Sequence, residues 1–158
     1  MKRTLLSLMG ALLFLSASHG QVGATWNTLK EESSEAIYFR IIENRGVGIL
    51  NLKVVHPDLT NINEHQILYL KVGNDFVKLP VQQPVKACRG CGTYKVVSYR
   101  NDKGIDVRYS FSKTTAQTMQ KGSIDKMRIM MAEGYLDLEI EPKYQSAIKN
   151  ALKEFYGG

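Results

Sequence analysis

The chain has 158 residues, 21 basic against 15 acidic, three histidines and only two cysteines, a length that suits one ordinary domain with a real core. Hydrophobic residues make up 44% of it, and it contains no internal repeat or low-complexity tract, which argues against a disordered or solenoid chain. Two cysteines are too few for a disulfide-rich scaffold or a four-cysteine metal ribbon.

The first twenty residues read as a secretory leader. Lys2-Arg3 is a charged start, Thr4–Leu15 is an apolar run, and Ser18-His19-Gly20 offers small residues at the cleavage positions. The apolar run is shorter than the roughly 20 residues of a spanning helix. The mature chain is therefore expected to begin at Gln21, with residues 21–158 forming a single exported domain and no transmembrane segment after cleavage. No cysteine lies near the cleavage point to carry a lipid anchor.

Gln21–Glu35 is polar, with Trp26 and Leu29 as its only large apolar residues, and reads as a solvated lead-in or a short helix. Ala36–Glu43 and Val47–His56 are rich in β-branched and aromatic residues and flank Asn44-Arg45-Gly46, which predicts a hairpin. His56-Pro57-Asp58 ends that strand, and a polar loop runs on to His65. A second hairpin is predicted from Ile67–Val72 and Phe76–Val81 around Gly73-Asn74-Asp75. Pro80 and Pro84 then lead into the turn Ala87-Cys88-Arg89-Gly90-Cys91-Gly92.

Tyr94–Arg100 and Ile105–Ser112 form the expected third pair, with Ile105, Val107, Tyr109 and Phe111 on one face. Thr114–Lys121 suggests a short helix before Gly122. Lys126–Met131 and Leu136–Ile140 alternate around Glu133-Gly134 as a fourth hairpin. From Pro142, residues Tyr144, Ala147, Ile148, Ala151, Leu152 and Phe155 recur at helical spacing up to Gly157. The expected fold is α+β with β dominant: about eight mostly antiparallel strands with a C-terminal amphipathic helix packed on the sheet. A β-sandwich carrying a terminal helix is the alternative.

Cys88-Arg89-Gly90-Cys91 is the most specific motif. In an oxidising compartment it reads first as a local disulfide pinning a turn. A thioredoxin-like redox pair needs a helix N-terminus beside the first thiol, whereas a strand is expected here. A zinc site would have to combine Cys88 and Cys91 with His56 and His65. Haem attachment needs a His after the second Cys, and position 92 is Gly. Met119, Met127, Met130 and Met131 read as core filling rather than copper thioethers.

The positive excess sits between Lys86 and Lys113, where Lys86, Arg89, Lys95, Arg100, Lys103, Arg108 and Lys113 meet only Asp102 and Asp106. Interleaved with Tyr94, Tyr99 and Tyr109, this segment is the candidate anion-binding surface, with Lys86, Arg89, Lys95, Arg100, Arg108 and Lys113 as its residues. The matching partners are an acidic protein, an anionic glycan or lipid headgroups; nucleic acid is not expected for an exported chain. The chain has no Gly-x-Ser-x-Gly, His-Glu-x-x-His or phosphate-loop motif.

The expectation is a periplasmic or extracellular, non-catalytic binding or accessory domain of the bacterial cell envelope that needs no cofactor. The alternatives are a thiol/disulfide or metal-handling protein using Cys88 and Cys91, and a hydrolase pairing His56 and His65 with Asp58 and Glu64.

Overall fold

A computed structural model describes residues 25–32, 34–92 and 103–156, apart from the side chain of Phe155. The leader, the Tyr94–Arg100 strand, the Phe155 contact and the Gly157 stop lie outside the described residues. Within them the chain forms strands β1 (Asn27–Glu31), β2 (Ala36–Asn44), β3 (Val47–Val55), β4 (Ile67–Val72), β5 (Asp75–Pro80), β6 (Cys88–Arg89) and β7 (Lys103–Phe111). Helix α1 (Lys113–Gln120), strands β8 (Ile124–Met131) and β9 (Gly134–Glu139) and helix α2 (Ala147–Tyr156) follow.

The local hairpins form where turn chemistry and alternation coincide. β2 and β3 pair through Asn44↔Val47, with the positive φ of the turn taken by Arg45 (52°) and Gly46 (82°). β4 pairs with β5 around Gly73, and β8 with β9 around Gly134. All strand pairings among the described residues are antiparallel. They build a five-stranded sheet in the order β1-β2-β3-β7-β6 and a four-stranded sheet in the order β5-β4-β8-β9. The two sheets meet at a corner where Val81, just past β5, bridges Tyr109 and the Gln82 N–H donates to the Arg108 carbonyl at 2.8 Å.

Alternation then decides what is buried. Leu50, Leu52 and Val54 of β3, Ile105, Val107, Tyr109 and Phe111 of β7, Leu68 and Leu70 of β4, and Met127 and Ile129 of β8 enter one hydrophobic cluster. Helix α1 adds Ala116 and Met119, and α2 adds Ile148 and Leu152. The α+β, β-dominant architecture with its C-terminal helix is as expected. Met119, Met127 and Met131 are buried in that core.

Two features differ from the sequence reading, and one long-range pairing is added to it. The lead-in contains a strand: β1 pairs with β2 and sends Leu29, 1% exposed, into the core. It is too short, and its alternation is broken by a bulge between Thr28 and Lys30, to show a period of two. The added pairing is β7 with β3, from Gly48↔Phe111 to Val55↔Gly104, with the short β6 at the start of its other edge; the expected pairing with Tyr94–Arg100 lies outside the described residues. The helix expected from Pro142 is split into a 3-10 turn, Pro142–Tyr144, and α2. The Gln145 carbonyl accepts from the Ile124 N–H at 2.9 Å, so it is engaged by β8 where a continuous helix would have used it for Lys149.

Glycine is required where the cysteine turn crosses β7. A Cβ on Gly104 would fall on the Cys91 carbonyl. Gly92 has a φ of +84°, and a Cβ there would meet the Val54 carbonyl oxygen at 2.5 Å.

Burying Ile148 and Leu152 stabilises the closing helix by about 1.5–3 kcal/mol per side chain. Leu152→Ala is expected to cost about 2–5 kcal/mol, read as a lower urea midpoint at unchanged slope. A midpoint equal to that of the parent would show that α2 does not belong to the cooperative core.

Candidate functional site

Cys88 and Cys91 lie at disulfide distance, with their Cα atoms 5.4 Å apart, in a turn held against Gly104. Cys88 opens β6 rather than a helix, so no helix N-terminus is present there to favour a thiolate.

The basic side chains of the Lys86–Lys113 segment do not gather at one point among the described residues. Arg89 pairs in register with Lys103 at the start of β7, and Lys113 begins α1 beyond its end. At about 3.4 Å per residue, Lys103 and Phe111 alone are about 27 Å apart. Lys86, Arg89, Arg108 and Lys113 are exposed; Lys95 and Arg100 lie outside the described residues. Arg108 projects from the outer face of the five-stranded sheet, in one cross-strand row with Asn51 and Arg40. Asn51 is fully buried, and neither of its amide atoms has a hydrogen-bond partner among the described residues. On the same face Trp26 packs on Ala36, Tyr38 and Val55, with the Arg40 guanidinium and the Lys53 ammonium each 4.7 Å from its ring centre.

His56 and His65 part company. His65 is exposed with a φ of 67°, whereas His56 is 8% exposed at the end of β3. Its Nε2 lies 3.1 Å from Glu35 Oε1, and its Nδ1 accepts the Asp58 N–H at 3.1 Å. Both ring nitrogens are therefore engaged, and the close carboxylate is Glu35 rather than Asp58 or Glu64; the Asp58 side chain is 3.9 Å from Nδ1 and 80% exposed. Glu35 also pairs with Lys30. The hydrogen bond from Lys30, opposed by burial and aided by His56, holds the Glu35 carboxyl below its ordinary range, and the same bond raises Lys30. Among the described residues no group of three or more His, Cys, Asp or Glu is placed to hold a metal ion, so His56, His65, Cys88 and Cys91 are not brought together as a zinc site.

A groove of about 580 Å³ lies on the outer face of the four-stranded sheet. The sequence reading did not single it out. Register builds it in rows: Lys71 stands beside Phe76 on one side and Lys126 on the other, and Lys126 opposite Glu139. In the next row Tyr69 stands between Lys78 and Arg128, with Asp137 beyond Arg128. Arg128 grips Asp137 through Nε and Nη2 at 2.6 and 2.7 Å, and its guanidinium sits 4.0 Å from the centre of the Tyr135 ring. Lys126 meets Glu139 at 3.1 Å, Lys71 meets Asp125 at 2.7 Å, and the Lys78 ammonium lies over the Tyr69 ring. These hydrogen bonds, from Arg128 and Lys71 in turn, hold the Asp137 and Asp125 carboxyls below their usual range. Phe76 and Tyr135 remain 66% and 55% exposed.

The available signal was an aromatic at an outward position: in β4 and β5 the polar half of the alternation carries Tyr69 and Phe76. Comparison of the chain with protein-family models, curated proteins and solved structures finds no match.

Two outcomes follow from these geometries. Glu35, depressed in the folded state, adds stability that is full above its unfolded pKa near 4.5 and is lost as pH falls through the lower folded value. Glu35→Gln should therefore lower stability at neutral pH by about 1–3 kcal/mol and flatten the acid limb of a melting-temperature profile; an unchanged limb would assign the acid sensitivity to other carboxylates. For the cysteines, mass spectrometry of the alkylated, non-reduced protein should find Cys88 bonded to Cys91, with no alkylation until a reductant is added.

Proposed function

We propose that this chain is an exported, non-catalytic binding or accessory domain of the bacterial cell envelope, working in the periplasm or outside the cell. The observation that carries the reading is the open groove on the four-stranded sheet, where exposed rings and ordered charge pairs form a recognition surface. The leader pattern of residues 1–20 supports export, and a cysteine pair at disulfide distance suits an oxidising compartment. No helix among the described residues is long and apolar enough to cross a membrane.

His56 has a structural role in this reading. With Nδ1 accepting from the Asp58 backbone and Nε2 against Glu35, it ties the loop between β1 and β2 to the end of β3. Lys86, Arg89, Arg108 and Lys113 surround the other sheet with a diffuse positive field, to which an acidic protein, an anionic glycan or lipid headgroups respond at long range.

Expression of the full chain with its own leader, followed by fractionation and intact-mass measurement, tests the proposal. The expected product begins at Gln21 and leaves the cytoplasm. An uncleaved chain retained in the cytoplasm would overturn export and with it the envelope role.

A further inference from the structure

We infer that the outer face of the four-stranded sheet binds an extended, uncharged polysaccharide strand. This rests on the exported binding-domain reading and gives it a ligand class. Three aromatic rings mark a track across the sheet. Phe76 stands at one corner, Tyr69 one strand over and two residues along, and Tyr135 two strands further and one row on. With strands about 4.8 Å apart and a rise of about 3.4 Å per residue, the track runs diagonally for about 20 Å. That length and the exposure of the end rings, Tyr135 with one face against Arg128 and the other left for a ligand, suit several consecutive sugar rings, whose apolar C–H faces stack on aromatic faces.

Between the rings lie polar groups of a particular kind. Arg128 gives Nε and Nη2 to Asp137 and keeps further N–H donors, while the Asp137 and Glu139 carboxylates keep unused lone pairs. Donors and acceptors therefore stand side by side. Neighbouring hydroxyls on a sugar, each able to donate and accept, match that array. Lys71, Lys126 and Arg128 are already neutralised by Asp125, Glu139 and Asp137, so of the cations in these rows only Lys78, over the Tyr69 ring, lacks a carboxylate among the described residues, and little unpaired charge has to be desolvated when hydroxyls replace water.

The same arrangement disfavours other ligands. A polyanion or a nucleic-acid strand wants cations free along its path. A protein interface puts apolar residues at its centre and charge at its rim, whereas here the ion pairs occupy the middle and two of the three rings stand at opposite corners.

The test titrates the full chain, purified after expression with its own leader, with the neutral hexasaccharides of chitin and cellulose and with heparin as polyanion, at low and high salt. Binding of at least one neutral hexasaccharide is expected, with affinity indifferent to salt and amide shifts concentrated on β4, β5, β8 and β9. Phe76→Ala and Tyr135→Ala should each weaken it by about tenfold; both side chains are exposed, and an unchanged melting temperature checks their folding. The shift map of the parent protein keeps the test decisive if a variant misfolds. No binding of either neutral sugar overturns the inference, as do shifts confined to other elements, heparin binding alone that weakens with Arg108→Glu, or self-association abolished by Phe76→Ala. A protein that exports and is cleaved at Gln21 yet binds neither sugar loses the ligand class and keeps the broader reading.

Discussion

The pairing of β7 with β3, and its corner contact with the end of β5, is the constraint on which the rest of the molecule depends. β7 runs antiparallel to β3 over its whole length, carries β6 beside its first residues, and meets Val81 at Tyr109. Its inward set, Ile105, Val107, Tyr109 and Phe111, is buried in the hydrophobic cluster to which both sheets contribute. Tyr109 shows how firmly the position is held. Its hydroxyl is buried with no hydrogen-bond partner among the described residues, and burial pushes the phenol pKa up. An unsatisfied buried hydroxyl costs about 1–3 kcal/mol, so the ring's packing has to outweigh it.

Around that strand the edges are tied by polar groups rather than by more core. The cysteine turn crosses β7 at Gly104, the residue without a Cβ to collide with the Cys91 carbonyl. At the far edge, the turn Pro142–Tyr144 packs against β1, and the Glu141 carboxyl, held low chiefly by Lys143, also accepts from the Glu31 backbone. Covering part of the β1 edge this way reduces its availability as a template for another strand. The Lys30–Glu35–His56 cluster fixes the intervening loop.

What could be read in the sequence was what is local. Asn44-Arg45-Gly46, Gly73-Asn74-Asp75 and Glu133-Gly134 each join runs of alternating residues, and each makes a hairpin within one residue or two of its expected limits. The β3–β7 pairing joins segments some fifty residues apart and has no turn to announce it. The break before α2 was hidden for the same reason, since the group that takes the Gln145 carbonyl belongs to Ile124. For the groove, the outward aromatics were visible one at a time. Their alignment depends on β4 lying beside β8, an order that alternation within either strand does not encode.

Charge shows the same limit from the other side. The basic residues between Lys86 and Lys113 share one stretch of sequence, but an extended strand carries such residues apart at about 3.4 Å per residue, so among those described Arg89, Arg108 and Lys113 lie along β7 and beyond its ends. Lys71, Lys126 and Arg128, which no cluster in the sequence marks, are instead assembled by register and matched with carboxylates. The two sheets thus present different electrostatics. One side carries dispersed positive charge that acts at a distance and is screened beyond about 8 Å at physiological salt. The other carries charges that, Lys78 apart, are balanced at contact, and these add little attraction from afar but keep their directional donors and acceptors. Under the proposed function, approach to an envelope and recognition of a ligand are assigned to different sheets, and substitutions of Arg108 on one should leave the contribution of Phe76 and Tyr135 on the other intact because these side chains share no partners.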